Sequence, residues 1–91
     1  MSYAAQIDGN QKAIVDALRA VGALVQHLHT VGGGVPDLLV SWRRRLFLLE
    51  LKVGKGKLNI EQDVWHCLWK GPYLHVVRSP EEALRAIGAI S

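Results

Sequence analysis

The chain has one cysteine, no long apolar run and few acidic residues, and each shortage excludes a class of protein. With Cys67 as its only thiol, the chain cannot form an internal disulfide, which fits a reducing compartment. No apolar stretch reaches the roughly 20 residues that span a bilayer, and the first residues lack a secretion-signal pattern. We therefore expect a cytoplasmic protein with no membrane partner.

The shortage of acid leaves the chain mildly basic. Lys and Arg number 11 against 8 Asp and Glu, which gives a net charge of +3. Such a balance suits a polyanionic partner such as nucleic acid, although charge alone does not identify one. With 91 residues, of which 49% are apolar, the chain is long enough for one small packed domain covering residues 1–91.

The most informative stretch, residues 34–52, predicts two strands joined by a turn. Asp37 follows a proline at the start of the first strand, and the second strand ends on Glu50 and Lys52. Side chains alternate along a strand, so Glu50 and Lys52 point to the same face. Residues 46–49 are all apolar, which indicates a central strand covered on both sides. Charged groups at the end of such a strand are usually paired or bind a metal.

The rest of the chain completes the predicted order α-β-β-β-α-β-α. Asp8 with Gln11, and Asn59 with Gln62, have the spacing of capping boxes that begin helices. Before Asp8, residues 1–7 are predicted to form a loose arm. The predicted elements are a helix from Asp8 to about Ala20, strands at 23–30, 38–42, 46–52 and 73–77, a helix from Asn59 to about Lys70, and a helix capped by Ser79.

The second helix carries an apolar stripe and a pair of tryptophans. Trp65 and Trp69 lie one turn apart on a face next to the stripe. They are interpreted either as a subunit contact or as a cap on the core of the same chain. The stripe that we expect to pack inward consists of Ile60, Val64, Cys67 and Leu68.

The chain resembles the PD-(D/E)xK nucleases, and in detail the small virus-type replication-repair nuclease (VRR-NUC) domains of phages and bacteria. The resemblance implies an α/β fold with a restriction-endonuclease-like core, in which helices flank a mixed sheet. It also implies metal-dependent hydrolysis of DNA with a preference for branched substrates, and a homodimer in a bacterial or phage-infected cell. The matching residues are Gly34-Val35-Pro36-Asp37, Leu49-Glu50-Leu51-Lys52, Leu58 and Gln62 at the start of a helix, and Gly71 before a Val-rich strand.

The resemblance also implies a site. Asp37 and Glu50, with the backbone carbonyl of Leu51, would bind Mg²⁺ or Mn²⁺, because carboxylate and carbonyl oxygens suit these ions. Lys52 and Gln62 complete the expected catalytic set. Many relatives carry an acid in the first helix, and here Gln11 is expected to take that place. The alternative from the residues alone is an ion pair of Lys52 with Asp37 or Glu50 and no metal.

Three further segments are candidates for nucleic-acid contact. The lysines of the loop after residue 52 leave the same strand end as the acids, which suits a phosphodiester backbone. The glycine run before Pro36 allows close approach of a phosphate or another backbone, or it is only a turn. The arginine tip of the hairpin either binds phosphate or is a solvated turn. These candidates are Gly33, Gly34, Arg43, Arg44, Arg45, Lys55 and Lys57.

Two other functions stay open at this point. The chain could keep the nuclease fold as a catalytically inactive nucleic-acid-binding module, which the missing first-helix acid motivates. It could also be a scaffold protein that binds neither metal nor DNA. Metal-dependent nicking of plasmid DNA distinguishes the nuclease from both.

Overall fold

The structure, a computed structural model, describes residues 2–91, with side chains from Asn10 onward. Three helices and four strands follow one another in the predicted order. The elements are α1 (Ser2–Ala20), β1 (Leu24–His27), β2 (Leu38–Trp42), β3 (Arg45–Leu51), α2 (Ile60–Leu68), β4 (Leu74–Val77) and α3 (Pro80–Ile87). No helix among the described residues is both long and apolar enough to cross a membrane.

The four strands form one mixed sheet in the order β1-β2-β3-β4. β2 pairs antiparallel with β1 and β3, whereas β3 and β4 run parallel. β3 is therefore an inner strand, and its residues 47–50 are buried on both faces. The predicted central strand and mixed sheet are confirmed.

One face of the sheet holds the hydrophobic core. Alternate residues of the strands point to this face and pack against α1 and α3, which also contact each other. Burial of these side chains is the main apolar stabilisation of the fold. The core includes Ile14, Leu18, Val25, Leu38, Val40, Phe47, Leu49, Val77, Ala83 and Ile87.

α2 lies over the opposite face and turns its polar side toward the sheet. Its Gln62 and His66 approach Glu50, which alternation places opposite the core face. Within α2 no residue is buried, and Ile60, Val64 and Leu68 are 83%, 51% and 66% exposed.

The predicted inward stripe of this helix is therefore wrong: Ile60, Val64 and Leu68 face outward, and Cys67 is exposed as well. The physical reason is the buried carboxylate beneath the helix. A desolvated charged or polar group is costly without hydrogen-bond partners, and α2 provides them from its polar side.

α1 begins at Ser2 instead of Asp8, so the arm predicted for residues 2–7 is wrong. Met1 lies outside the described residues. Asp8 falls inside the helix and not at its N-cap, because the residues before it, including Ala4 and Ala5, have good helix propensity. By contrast, the Asn59–Gln62 capping box is present with both of its hydrogen bonds.

Candidate active site at the end of the central strand

Strand pairing brings Asp37 to Glu50. Leu38 pairs with Leu49, and continuing this register by one residue puts Asp37 opposite Glu50 on the same face. Directly opposed residues have Cβ atoms only about 4.5–5.5 Å apart. The two carboxyl groups share a side-chain hydrogen bond. The predicted convergence of the two acids is therefore present.

The same register ends the ladder between β2 and β3. The next residue pair would be Pro36 with Leu51, and proline has no N–H to donate to the Leu51 carbonyl. The Leu51 N–H instead donates to Asp37 Oδ2 at 2.8 Å, which fixes this carboxylate against the end of β3. Pro36 thus explains in physical terms why a carbonyl and a carboxylate are both available at this point.

Glu50 is electrostatically unusual. Its side chain is 1% exposed, and its pKa is raised from 4.5 to about 8. Burial is the largest cause, followed by the hydrogen bond and the negative charge of Asp37, while the Lys52 charge acts in the opposite direction. At neutral pH Glu50 therefore holds a proton, as one member of a close carboxyl pair does. A bound cation would replace this proton and neutralise the pair.

The residues at this position fit a hard divalent cation. Among the residues with described side chains, no group of three or more His, Cys, Asp or Glu residues has the arrangement of a metal site. A zinc-type centre is not indicated by this donor set. Mg²⁺ commonly takes one or two carboxylates and completes its shell with water and substrate oxygens, which Asp37, Glu50 and the Leu51 carbonyl match.

Glu50 makes the metal-free protein sensitive to pH. Between pH 4.5 and about 8 the folded chain holds a proton that the unfolded chain releases. The stability that this proton contributes to the folded chain is therefore fully present below pH 4.5 and is lost as the pH rises to about 8. We expect the melting temperature in EDTA to fall across this window, and Glu50→Gln to remove that part of the fall. Equal pH profiles for the wild type and the variant would contradict this prediction.

Gln62 joins the helix cap to the site. Its amide nitrogen donates to Glu50 Oε2 at 3.2 Å. Its amide oxygen accepts from Lys52 Nζ at 2.7 Å and from the Asn59 N–H at 2.9 Å. The capping and site interpretations of Gln62 are thus compatible in one side chain.

Lys52 lies at the site but does not form the alternative ion pair. Among the residues with described side chains, Lys12 forms an ion pair with Asp16, and the nitrogen found near Glu50 at 3.4 Å is that of the neutral imidazole of His66. The Lys52 ammonium instead contacts the Gln62 amide oxygen. Its positive charge therefore stands beside the carboxylates without being tied to either of them.

His66 belongs to the cluster, although the sequence analysis did not include it. Its Nε2 lies 3.4 Å from Glu50 Oε1, and its side chain is 13% exposed. Burial is the main reason that its pKa is lowered. The sequence feature that could have identified His66 is its spacing, because a residue four positions after Gln62 lies on the same face of a helix.

The structure does not bring Gln11 to the carboxylates. The Gln11 amide nitrogen lies 2.8 Å from His27 Nδ1, which is on the core face of β1. Asn10, one residue earlier, donates to the carbonyls of Lys52 and Arg78 at 3.5 and 3.2 Å. The first helix therefore braces the strand ends through Asn10, and the expected ligand from Gln11 is not in place.

The arginine tip lies at the other end of the sheet. Arg43 and Arg44 have φ of 50° and 66°, as the two central residues of a tight hairpin turn. The Arg43 guanidinium lies over the Trp42 ring, 4.5 Å from its centroid. Since Arg43, Arg44 and Arg45 join the opposite ends of β2 and β3, they do not meet the acids.

Gly34 is where the glycine run touches α2. It has φ of 88°, and a Cβ built on it would lie 2.3 Å from the Glu61 carbonyl oxygen. The residue therefore allows the backbone before Asp37 to pack against the first turn of α2. Of the interpretations of this run, close approach of another backbone is confirmed at Gly34, whereas Gly33 has open space around it.

The loop after β3 is shaped by an arginine. Arg78 Nη1 donates to the Gly54 and Gly56 carbonyls at 2.9 and 2.7 Å. Lys55 lies between the two glycines and Lys57 follows the second one, and both lysines are exposed. The two lysines are thus presented to solvent from a braced loop at the same end of β3 as the acids.

We expect Arg78→Met to loosen this loop and to speed tryptic cleavage after Lys55 and Lys57. Hydrogen bonds to a charged group contribute about 1.5–3 kcal/mol, so local opening should become roughly tenfold more frequent. Peptide mapping of timed digests measures the rate. Arg85→Met, which removes an arginine from α3 away from the loop, is the matched control. Equal digestion of the two variants would show that Arg78 does not hold the loop.

The site thus consists of the entry to β2, the end of β3 and the polar side of α2, with an acid pair, an ammonium, an amide and an imidazole. Its chemistry has to be argued from these groups themselves. Comparison of the chain with protein-family models, with curated proteins and with solved structures gives no match.

Proposed function

We propose that this protein is a metal-dependent nuclease with a PD-(D/E)xK core of the VRR-NUC type, which hydrolyses phosphodiester bonds in DNA. The observation that carries the proposal is the acid pair of half-buried Asp37 and buried Glu50, with Lys52 at the same strand end. Two carboxyl groups this close are poorly explained as a structural element, because without a cation the second one ionises only at a cost.

Asp37, Glu50 and the Leu51 carbonyl would bind Mg²⁺ or Mn²⁺. Such an ion would supply an acidified water and a polarised phosphoryl oxygen. The protein residues hold the geometry: the Leu51 N–H fixes Asp37, and Gln62 fixes Glu50. The Lys52 ammonium stabilises the negative charge that develops on the phosphate.

The surroundings of the acid pair suit a nucleic-acid backbone. Lys55 and Lys57 are exposed on the loop that leaves β3, and the N-terminus of α2 favours anions. We propose that DNA lies across this loop and the glycine run at Gly33 and Gly34. Arg43, Arg44 and Arg45, at the far end of the sheet, would contact a separate segment of the same duplex or branch.

The decisive experiment is a cleavage panel of supercoiled plasmid, flap, splayed-arm and four-way-junction DNA with Mg²⁺, Mn²⁺ or EDTA. The proposal expects cleavage with either metal and none in EDTA, and the junction arm tests the expected preference for branched DNA. Salt-sensitive DNA binding without cleavage would instead support the inactive binding module. If the folded protein neither binds nor cleaves any of these DNAs, the assignment is overturned.

We also propose that a second copy of the chain covers the outward face of α2. Ile60, Val64 and Leu68 form an apolar row at i, i+4 and i+8 on this face. α2 carries Glu61 and Asp63 in its first turn, and Lys70 follows its other end. Antiparallel pairing of two such helices around a two-fold axis would therefore join apolar to apolar and acid to base.

The tryptophan pair has a local role beside this face. Trp65 and Trp69 stack with centroids 5.2 Å apart, and Trp69 Nε1 donates to the Pro72 carbonyl at 3.1 Å. A Cβ on Gly71 would meet the Trp69 ring at 2.3 Å. These contacts tie the tryptophans to each other and to the turn after α2, and neither is among the residues that pack on the core. The proposed dimer contact is therefore centred on Val64 next to them.

We expect Val64→Asp to convert a dimer into a monomer, because the substitution buries a charge at the two-fold axis. Light scattering at micromolar concentration should give twice the 10.1 kDa chain mass for the wild type and the single mass for the variant. Leu24→Asp, at a more exposed apolar position on the edge strand β1, is the control and should stay dimeric. A monomeric wild type would refute the dimer proposal.

A further inference from the structure

The proposed mechanism uses Gln62 but leaves His66 without a task. Both residues lie on the polar side of α2, four positions apart, and both reach Glu50. Gln62 approaches one carboxylate oxygen, Oε2, at 3.2 Å, and His66 approaches the other, Oε1, at 3.4 Å. The two oxygens of a buried carboxylate are thus each held from the same helix.

We infer that His66 is a positioning residue which, with Gln62, sets the orientation of the Glu50 carboxylate toward Asp37. The inference rests on the proposed metal site. His66 would act through Glu50 and not as a ligand itself. Among the residues with described side chains, no group of three or more His, Cys, Asp or Glu could hold a metal together with the imidazole. Once Glu50 is ionised its oxygens only accept, so the His66 Nε2–H is the donor in the ion-bound form.

The physical need for such a residue follows from the fold at this point. Glu50 is 1% exposed, and the side chains of α2 that contact it are Gln62 and His66. α2 buries no apolar side chain that could hold the carboxylate by packing. A carboxylate that turns away from Asp37 cannot share an ion with it. Hydrogen-bond partners behind metal ligands typically change metal affinity by about 10–100-fold.

The test measures Mn²⁺ binding to the full chain by calorimetry at one fixed pH, together with urea unfolding in EDTA. His66→Leu keeps much of the side-chain volume but removes the donor, whereas His66→Gln restores an N–H near the Nε2 position. We expect Mn²⁺ affinity to fall roughly 10–100-fold in His66→Leu and to return to within about threefold of wild type in His66→Gln. Glu81→Gln, an exposed acid on α3, is the control.

Two failures are distinguishable. If the wild type binds Mn²⁺ and His66→Leu binds it equally well, the inference is overturned while the metal site stands. If the wild type binds no Mn²⁺, the metal site is refuted and the inference falls with it. Should His66→Leu not fold, His66→Asn replaces it, because a shorter amide cannot reach Glu50 and should lose affinity where His66→Gln does not.

Discussion

Glu50→Gln should lose cleavage by roughly 1,000-fold or more while leaving the metal-free protein at least as stable as the wild type at pH 8. Loss of one direct ligand to a charge-stabilising ion is at least as costly as loss of one oxyanion-hole donor, about 10²–10³-fold. The gain in stability follows because the substitution removes a buried carboxylate whose pKa is raised by burial and by Asp37.

Cleavage should fall while the stability of the metal-free protein is kept or rises, and a general loss of structure cannot produce both results. A variant that is inactive because it is misfolded would lose both properties together. Plasmid nicking with Mn²⁺ and urea unfolding in EDTA measure the two effects, and Glu81→Gln, an exposed acid on α3, should change neither by a comparable amount. Full cleavage by Glu50→Gln would remove the acid pair from the mechanism and with it the nuclease proposal.

Gly34→Ala should cost about 2–5 kcal/mol of unfolding free energy, because positive φ and a steric clash act together. The residue has φ of 88°, and the new methyl would lie 2.3 Å from the Glu61 carbonyl oxygen, a backbone atom that cannot swing aside. The first turn of α2 has to shift, and Gln62 with it. Urea unfolding measures the loss.

The neighbouring glycine separates the two causes. Gly33 has φ of 67° and open space where a Cβ would go, so Gly33→Ala should lose only the backbone contribution, about 1–2 kcal/mol. The difference between the variants is the cost of the clash with α2. Equal losses would mean that the contact between Gly34 and α2 is not tight in solution.

Much of the fold could be predicted because local signals agreed with the tertiary arrangement. The order of elements, the bounds of β2 and the caps at Asn59 and Ser79 follow from turn residues, alternation and capping patterns. The acid pair was also predictable, because a hairpin fixes which residues of its two strands lie opposite each other.

The orientation of α2 could not be predicted from its apolar periodicity. Ile60, Val64 and Leu68 form a regular stripe, and in most helices such a stripe faces the core. Here the opposite side carries Gln62 and His66, and the need to satisfy buried Glu50 decides which side faces the sheet. His66 was missed for the same reason, since a helix placed the wrong way round hides its polar side from the site.

A helix that is held over a sheet by hydrogen bonds, without buried apolar side chains, is the least anchored part of the molecule. Its amide hydrogens should exchange with solvent well before those of β3, and through a separate opening event. Binding an ion or a DNA strand beneath it would then slow that exchange. The nine residues that cover the proposed metal site would then also be the first cooperative unit of the fold to open.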